Sequence, residues 1–173
     1  MACTTITGDI SIGCLGNLGG LTKLYIANLE DITSFTDTGS DGDIDTITMV
    51  SGKVFYEIEL LANTSDYKEE YSFTPDSGAK FYKQIVTLKL PRREAAKRQQ
   101  LALLASGKFV LIAKDANGIF WLMGETNGLY MSKNEGGSGT KQEDGSSYTI
   151  EFTAIGEPDP AKEVLFSAVA AVI

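Results

Sequence analysis

The sequence predicts a mainly β domain flanked by one helix, and three observations carry that prediction. Apolar and polar residues alternate with a period of two along much of the chain, as half-buried strands require. One hairpin is nearly continuous in apolar residues and is broken by Asp115-Ala116-Asn117-Gly118. A single stretch, from Pro91 to Gly107, has helical composition. At 173 residues, the chain suits a single domain, 1–173, able to bury about 70% of its unfolded surface.

In chain order, residues 1–20 read as a flexible N-terminal arm, followed by a strand at Leu21–Leu29. Further strands are predicted at Ile44–Val50, Tyr67–Phe73 and Val164–Val172. Val54, Tyr56, Ile58 and Leu60 alternate with Lys53, Phe55, Glu57 and Glu59. Tyr82, Gln84, Val86, Leu88 and Leu90 alternate with Phe81, Lys83, Ile85, Thr87 and Lys89, and Tyr148, Ile150, Phe152 and Ala154 do so near the end. Pro91 suits a first helical turn and Gly107 a C-terminal cap, with good helix formers between them. The apolar second half of that helix is expected to dock on a sheet, its basic first half at a polar rim. In the hairpin, Asn-Gly tolerates the positive φ of a tight connection, and flanking strands this apolar are covered on both faces. It is therefore expected at the centre of the core. Two Gly-rich acidic loops, Thr36–Asp43 and Asn134–Gly145, read as mobile connectors in an isolated subunit.

Composition removes several functions. With no histidine, neither a Ser-His-Asp nor a Cys-His nucleophile can be built, nor any His-containing zinc or iron site. A formal charge of −8 argues against general nucleic-acid binding, which draws on Lys and Arg matched to phosphates. Cys3 and Cys14, the two thiols, form one bridge or remain free in a reducing compartment. The opening residues carry no secretory signal pattern and no run of 18 apolar residues exists, so synthesis in a cytoplasm without membrane insertion is expected. The glycosylation sequon Asn63-Thr64-Ser65 has no meaning without secretion.

Candidate sites are few. Asp37, Asp41 and Asp45 fall at positions 1, 5 and 9 of a calcium loop, but Gly39 and Thr48 stand at positions 3 and 12, where ligands belong. The acidic pairs Glu57/Glu59, Glu69/Glu70 and Asp43/Asp45 suit a solvated face better than a glycosidase couple. Gly16–Gly20 and Gly136–Gly139 lack the spacing and the Lys-Ser/Thr ending of a phosphate loop. No catalytic residue and no cofactor are expected. Charge is more informative. Residues 80–114 carry a net +8, against −10 for residues 1–79 and −6 for residues 115–173. Arg92, Arg93, Lys97 and Arg98 have no aromatic residue among them to stack bases. They form either a solvated helix face or one half of a self-complementary homo-oligomer interface whose other half includes Asp41 and Asp43.

Three stretches carry a resemblance. Met1-Ala2-Cys3-Thr4, Gly13-Cys14, Gly19-Gly20 and Lys23-Leu24-Tyr25-Ile26-Ala27-Asn28 resemble the start of structural proteins from tailed phages of gut Bacteroidetes. Lys114 to Gly124 with Asn127-Gly128-Leu129, and Ser146 to Ala154 with Glu157-Pro158 and Pro160-Ala161, are similar to the phage major tail (tail tube) protein family. The resemblance implies a β-sandwich or barrel flanked by one helix and a homo-oligomeric ring of six copies. The rings would stack into a virion tail tube, meet other tail or connector proteins, and pass DNA without binding it specifically. Glu30–Asp43 is the expected ring-stacking loop, and an acidic lumen is expected to let DNA slide. The rival readings are a head–tail connector, ring or collar protein of related fold and, outside the virion, a calcium-assisted adhesion or carbohydrate-binding β-sandwich.

Overall fold

The computed structural model describes residues 17–37, 42–61 and 63–173. Its strands are β1 (Leu21–Asn28), β2 (Ile32–Thr36), β3 (Thr46–Met49), β4 (Tyr56–Ile58), β5 (Asp66–Thr74) and β6 (Ala79–Pro91). After helix α1 (Ala95–Leu104) come β7 (Phe109–Asp115), β8 (Phe120–Met123), β9 (Tyr130–Gly137), β10 (Ser147–Glu157), β11 (Lys162–Val164) and helix α2 (Phe166–Ala170). Two antiparallel sheets, ordered β11-β8-β7-β1-β4 and β5-β6-β10-β9, form a sandwich flanked by α1. The mainly β prediction holds.

Two cores explain the sequence pattern. Between the sheets, Leu24 and Ile26 of β1, Leu111 of β7 and Met123 of β8 meet Val86 and Leu88 of β6 and Ile150 and Phe152 of β10. The opposite face of the five-stranded sheet is buried too. There Tyr25, Val110, Ile112, Phe120 and Leu122 are covered by Ile47 of β3, by Ile44 and Phe55, and by Ala168, Val169 and Val172 at the C-terminus. Phe109 to Ala113 are buried because β7 lies mid-sheet with a layer on each side. Each of the four larger side chains, Phe109 to Ile112, contributes about 1.5–3 kcal/mol on leaving water. The β7–β8 connection turns at Gly118 (φ +92°), with Ile119 N–H donating to Asp115 Oδ1 at 2.9 Å. At the far end of β8, a side chain at Gly124 (φ +75°) would collide with Leu129.

The second sheet runs across the first. Gln84 of β6 accepts from Gly124 N–H (2.9 Å) on the β8 side, whereas Leu88 and Leu90 share a groove with Ile58 and Leu60 on the β4 side. A polar chain links the layers here: Gln84 Nε2 donates to Glu69 Oε1 (3.4 Å), which also accepts from Ala161 N–H.

Several expectations are corrected. The helix does not start at Pro91, which ends β6 opposite Ser147 of β10. Arg92 then turns the chain at φ +60°, its N–H held by the Ser146 carbonyl, and helical geometry begins only at Ala95. The expected strand Val164–Val172 is cut to β11. Leu165 N–H leaves the strand to donate to Ile44 O, and the next residues coil so that Ala168, Val169 and Val172 share one buried helical face. The expected row Val54–Leu60 is split: Val54 and Tyr56 are exposed while Phe55 fills the second core. A sheet covered on both faces has no single inward side. Asn134 to Gly137 belong to strand β9, not to a loop. The remainder of that loop is drawn together by Asp144, whose carboxylate accepts from Thr140 and Lys141 N–H at 2.9 and 2.8 Å and is held below the usual carboxylate range by those bonds. Within the predicted arm, Leu18 N–H is bound to Asn117 Oδ1 (2.8 Å); residues 1–16, with Cys3 and Cys14, lie outside the described residues.

Candidate assembly surfaces

The second sheet has two open edges. β5 pairs only with β6, and β9 only with β10, so each presents a row of backbone donors and acceptors without a strand partner among the described residues. Unpaired edges of eight or nine residues are templates for another chain. The outer face between them is charge-balanced, with Ile85, Ile155 and Tyr130 set among its charges. Lys83 stands opposite Glu70, and Lys133 opposite Glu151. Lys68 is 2.5 Å from Glu70 and Lys133 is 3.1 Å from Glu135. Asp66 and Lys89 complete the face, giving four acids and four lysines by the alternation of the strands.

The two ends of β6 lead to unlike surfaces. At the β11 edge of the five-stranded sheet, Asp37, Asp43, Glu125, Asp159 and Glu163 gather near Lys162. Lys162 Nζ is 2.8 Å from Glu125 and 3.8 Å from Asp159. Burial lowers its pKa, but the bond to Glu125 and the charges of Asp159 and Asp37 outweigh this and hold it above the ordinary lysine value. Burial, then the nearby charges of Asp43 and Asp115, push the Glu163 carboxyl up. Beyond this edge the β5–β6 hairpin continues to its turn at Pro75–Gly78, with Tyr71 and Phe73 more than half exposed.

The predicted basic residues sit at the opposite end, three of them engaged by neighbours of their own chain. Arg92 pairs with Glu94 at 2.9 Å. Arg93 lies over the Tyr148 ring, 5.3 Å from its centroid. Lys97 Nζ turns back to the Pro91 and Arg92 carbonyls at 2.7 and 3.3 Å, closing the strained corner before α1. Arg98 is exposed. The rest of the +8 segment is spread further, Lys83 and Lys89 on the outer sheet face and Lys114 over the Phe120 ring.

Two of the three residues of the calcium pattern fall among the described residues. Asp37 follows β2 and Asp45 precedes β3, joined through Asp45 N–H to Thr36 O (3.0 Å), while Asp41 lies outside the described residues. Among the described residues no group of three or more His, Cys, Asp or Glu is placed to hold a metal ion. Nor is Glu30–Asp43 a projecting loop where it is described. Glu30 and Asp31 lie in a 3-10 turn, Asp31 is fixed by Lys53 (3.1 Å) and Asn28 (2.7 Å), and β2 lies against β3 over the second core. Thr38–Asp41 lie outside the described residues. Among the described residues no helix is long and apolar enough to cross a membrane. No protein-family model matches the chain, and no curated protein matches it either.

Proposed function

We propose that this chain is a structural virion protein, the subunit of a phage tail tube built from stacked homo-oligomeric rings. The observation that carries this reading is the four-stranded sheet open at both β5 and β9. Copies joined edge to edge, β9 of one to β5 of the next, close such a sheet into a barrel wall and remove both exposed edges. The charge-balanced outer face suits the lumen. It holds no surplus of Lys or Arg to neutralise phosphates, so DNA slides past without being gripped. On this sheet the lumen is neutral rather than acidic.

Negative-stain microscopy of the purified chain tests the reading. Open-ended tubes or stacked rings are the expected outcome. Isolated rings that never stack favour the connector or collar role, and a strict monomer at high concentration overturns ring assembly altogether.

A further inference from the structure

At the β4 side of the sandwich lies a groove of about 520 Å³, within the range of sites that take a small ligand or a cluster of side chains. Its apolar lining comes from Leu60 and Leu61 after β4, Leu88 and Leu90 of β6, and Leu101 and Leu104 of α1. The groove exists because two elements stop short. β5 begins opposite Thr87, so β6 from Leu88 onward has no strand beside it on that flank, and α1 bridges the gap without filling it.

At the other end of the same strand is the reverse shape. The β5–β6 hairpin outruns the sandwich, and Tyr71 and Phe73 project from one side of it at 56% and 53% exposure. Tyr71 packs on Tyr82, its partner across the hairpin, with ring centroids 5.2 Å apart, so its ring is fixed within the protrusion. Large exposed aromatics on a projecting hairpin have the character of interface anchors.

We infer that the β5–β6 hairpin tip of one copy inserts Tyr71 and Phe73 into the α1–β4–β6 groove of the next, a head-to-tail contact that stacks copies along β6. A protrusion and a socket at opposite ends of one strand make a heterologous contact, which propagates instead of closing on itself. Net charge agrees with that polarity: the acidic cluster around Glu163 and Asp159 lies beside the protrusion, whereas around the socket Arg92, Arg93, Lys97 and Arg98 outnumber Glu57 and Glu59 of its lining and Glu94, the partner of Arg92. Tyr71 and Phe73 lie level with Tyr82 and Lys80 of β6, and the groove lies level with Leu88 and Leu90; that offset of about eight residues sets the axial repeat near 26 Å at about 3.3 Å per residue. The inference rests on the tube reading and names the contact between successive rings.

The test is a photo-crosslinker, p-benzoylphenylalanine, placed at position 73 of the full chain, with the double variant Tyr71→Ser/Phe73→Ser beside it. Crosslinks between copies are expected to map to residues 57–61 or 96–104, and the double variant is expected to keep its rings and lose at least tenfold in stacked length. Circular dichroism of the double variant should match wild type, since both rings are exposed. Crosslinks to any other surface, a crosslink within one chain, a small apolar molecule retained in the groove by native mass spectrometry, or unaltered stacking each overturn the contact and leave the tube reading standing. A wild-type chain that forms no rings overturns the tube reading and the contact with it.

Discussion

Glu157 is 2% exposed, and its carboxylate accepts from Thr126 N–H at 3.1 Å and Asn127 N–H at 2.8 Å. Asn127 Nδ2 returns a bond to Gly156 O at 2.7 Å, so the segment after β8 is clamped to the end of β10. The sequence marks this residue only as part of the Glu157-Pro158 motif, which does not report its burial or its partners. An acid before proline reads as an exposed turn, and its two donors stand about thirty positions away. Gln84 was legible only as a member of an alternating row; that a polar residue in the row bridges both sheets needed the structure. By contrast, the Asp115–Gly118 turn was legible because its determinants are neighbours in sequence. Glu157→Ala removes the charged acceptor of two part-buried N–H groups, and a hydrogen bond to a charged group contributes about 1.5–3 kcal/mol. It should lower the urea midpoint by an amount matching about 2–4 kcal/mol at unchanged m-value, with Glu157→Gln intermediate. A midpoint within error of wild type for the alanine variant would show that the clamp carries no stability.

At the scale of elements, legibility followed how locally each fold decision is made. β6 and β10 pair along nearly their whole length and bury one face each, so alternation identified both strands and the residues they bury. The Val54–Leu60 row and the C-terminal segment failed for a shared reason: Phe55, just before β4, and Val172 both pack on the second face of the five-stranded sheet, where Phe55 N–H donates to Val172 O at 2.8 Å. Their apolar residues answer to a layer that strand periodicity does not report. The helix is a mixed case. Its composition was visible, but its start is set by pairing of Pro91 to β10 and by Lys97 closing the Arg92 corner. Its apolar half is only partly seated, with Leu101 4% exposed in the core and Leu103 64% exposed. Leu101→Ala should therefore cost about 2–5 kcal/mol, and Leu103→Ala less than about 0.5 kcal/mol. Equal losses in thermal or urea unfolding would mean that α1 docks through a different face.

Over the whole molecule, the net charge divides into unlike ends, though not as the +8 segment suggested, because strand alternation scatters those lysines over several faces. The acidic end carries a cost in the isolated subunit. Glu163 is partly buried beside Asp43 and Asp115, and its folded-state pKa is raised above the ordinary carboxylate value. A group with a raised folded pKa binds more protons folded than unfolded. Stability therefore falls as pH rises through the folded pKa, and the contribution of the protonated form is complete only below the unfolded value near 4.3. Glutamine at this position stays neutral throughout. In dilute, unassembled chain, Glu163→Gln should melt higher than wild type at pH 7, by up to about 3 °C, and the two melting curves should converge below about pH 4. If cations of the next copy approach this end, that advantage shrinks or reverses once the chain assembles, because the ionised carboxylate then gains a partner that glutamine lacks. Scanning calorimetry from pH 3.5 to 8, on dispersed and assembled chain, reads both effects. An advantage for glutamine that is independent of pH would show that crowding of shape, and not of charge, is what Glu163 imposes on this end.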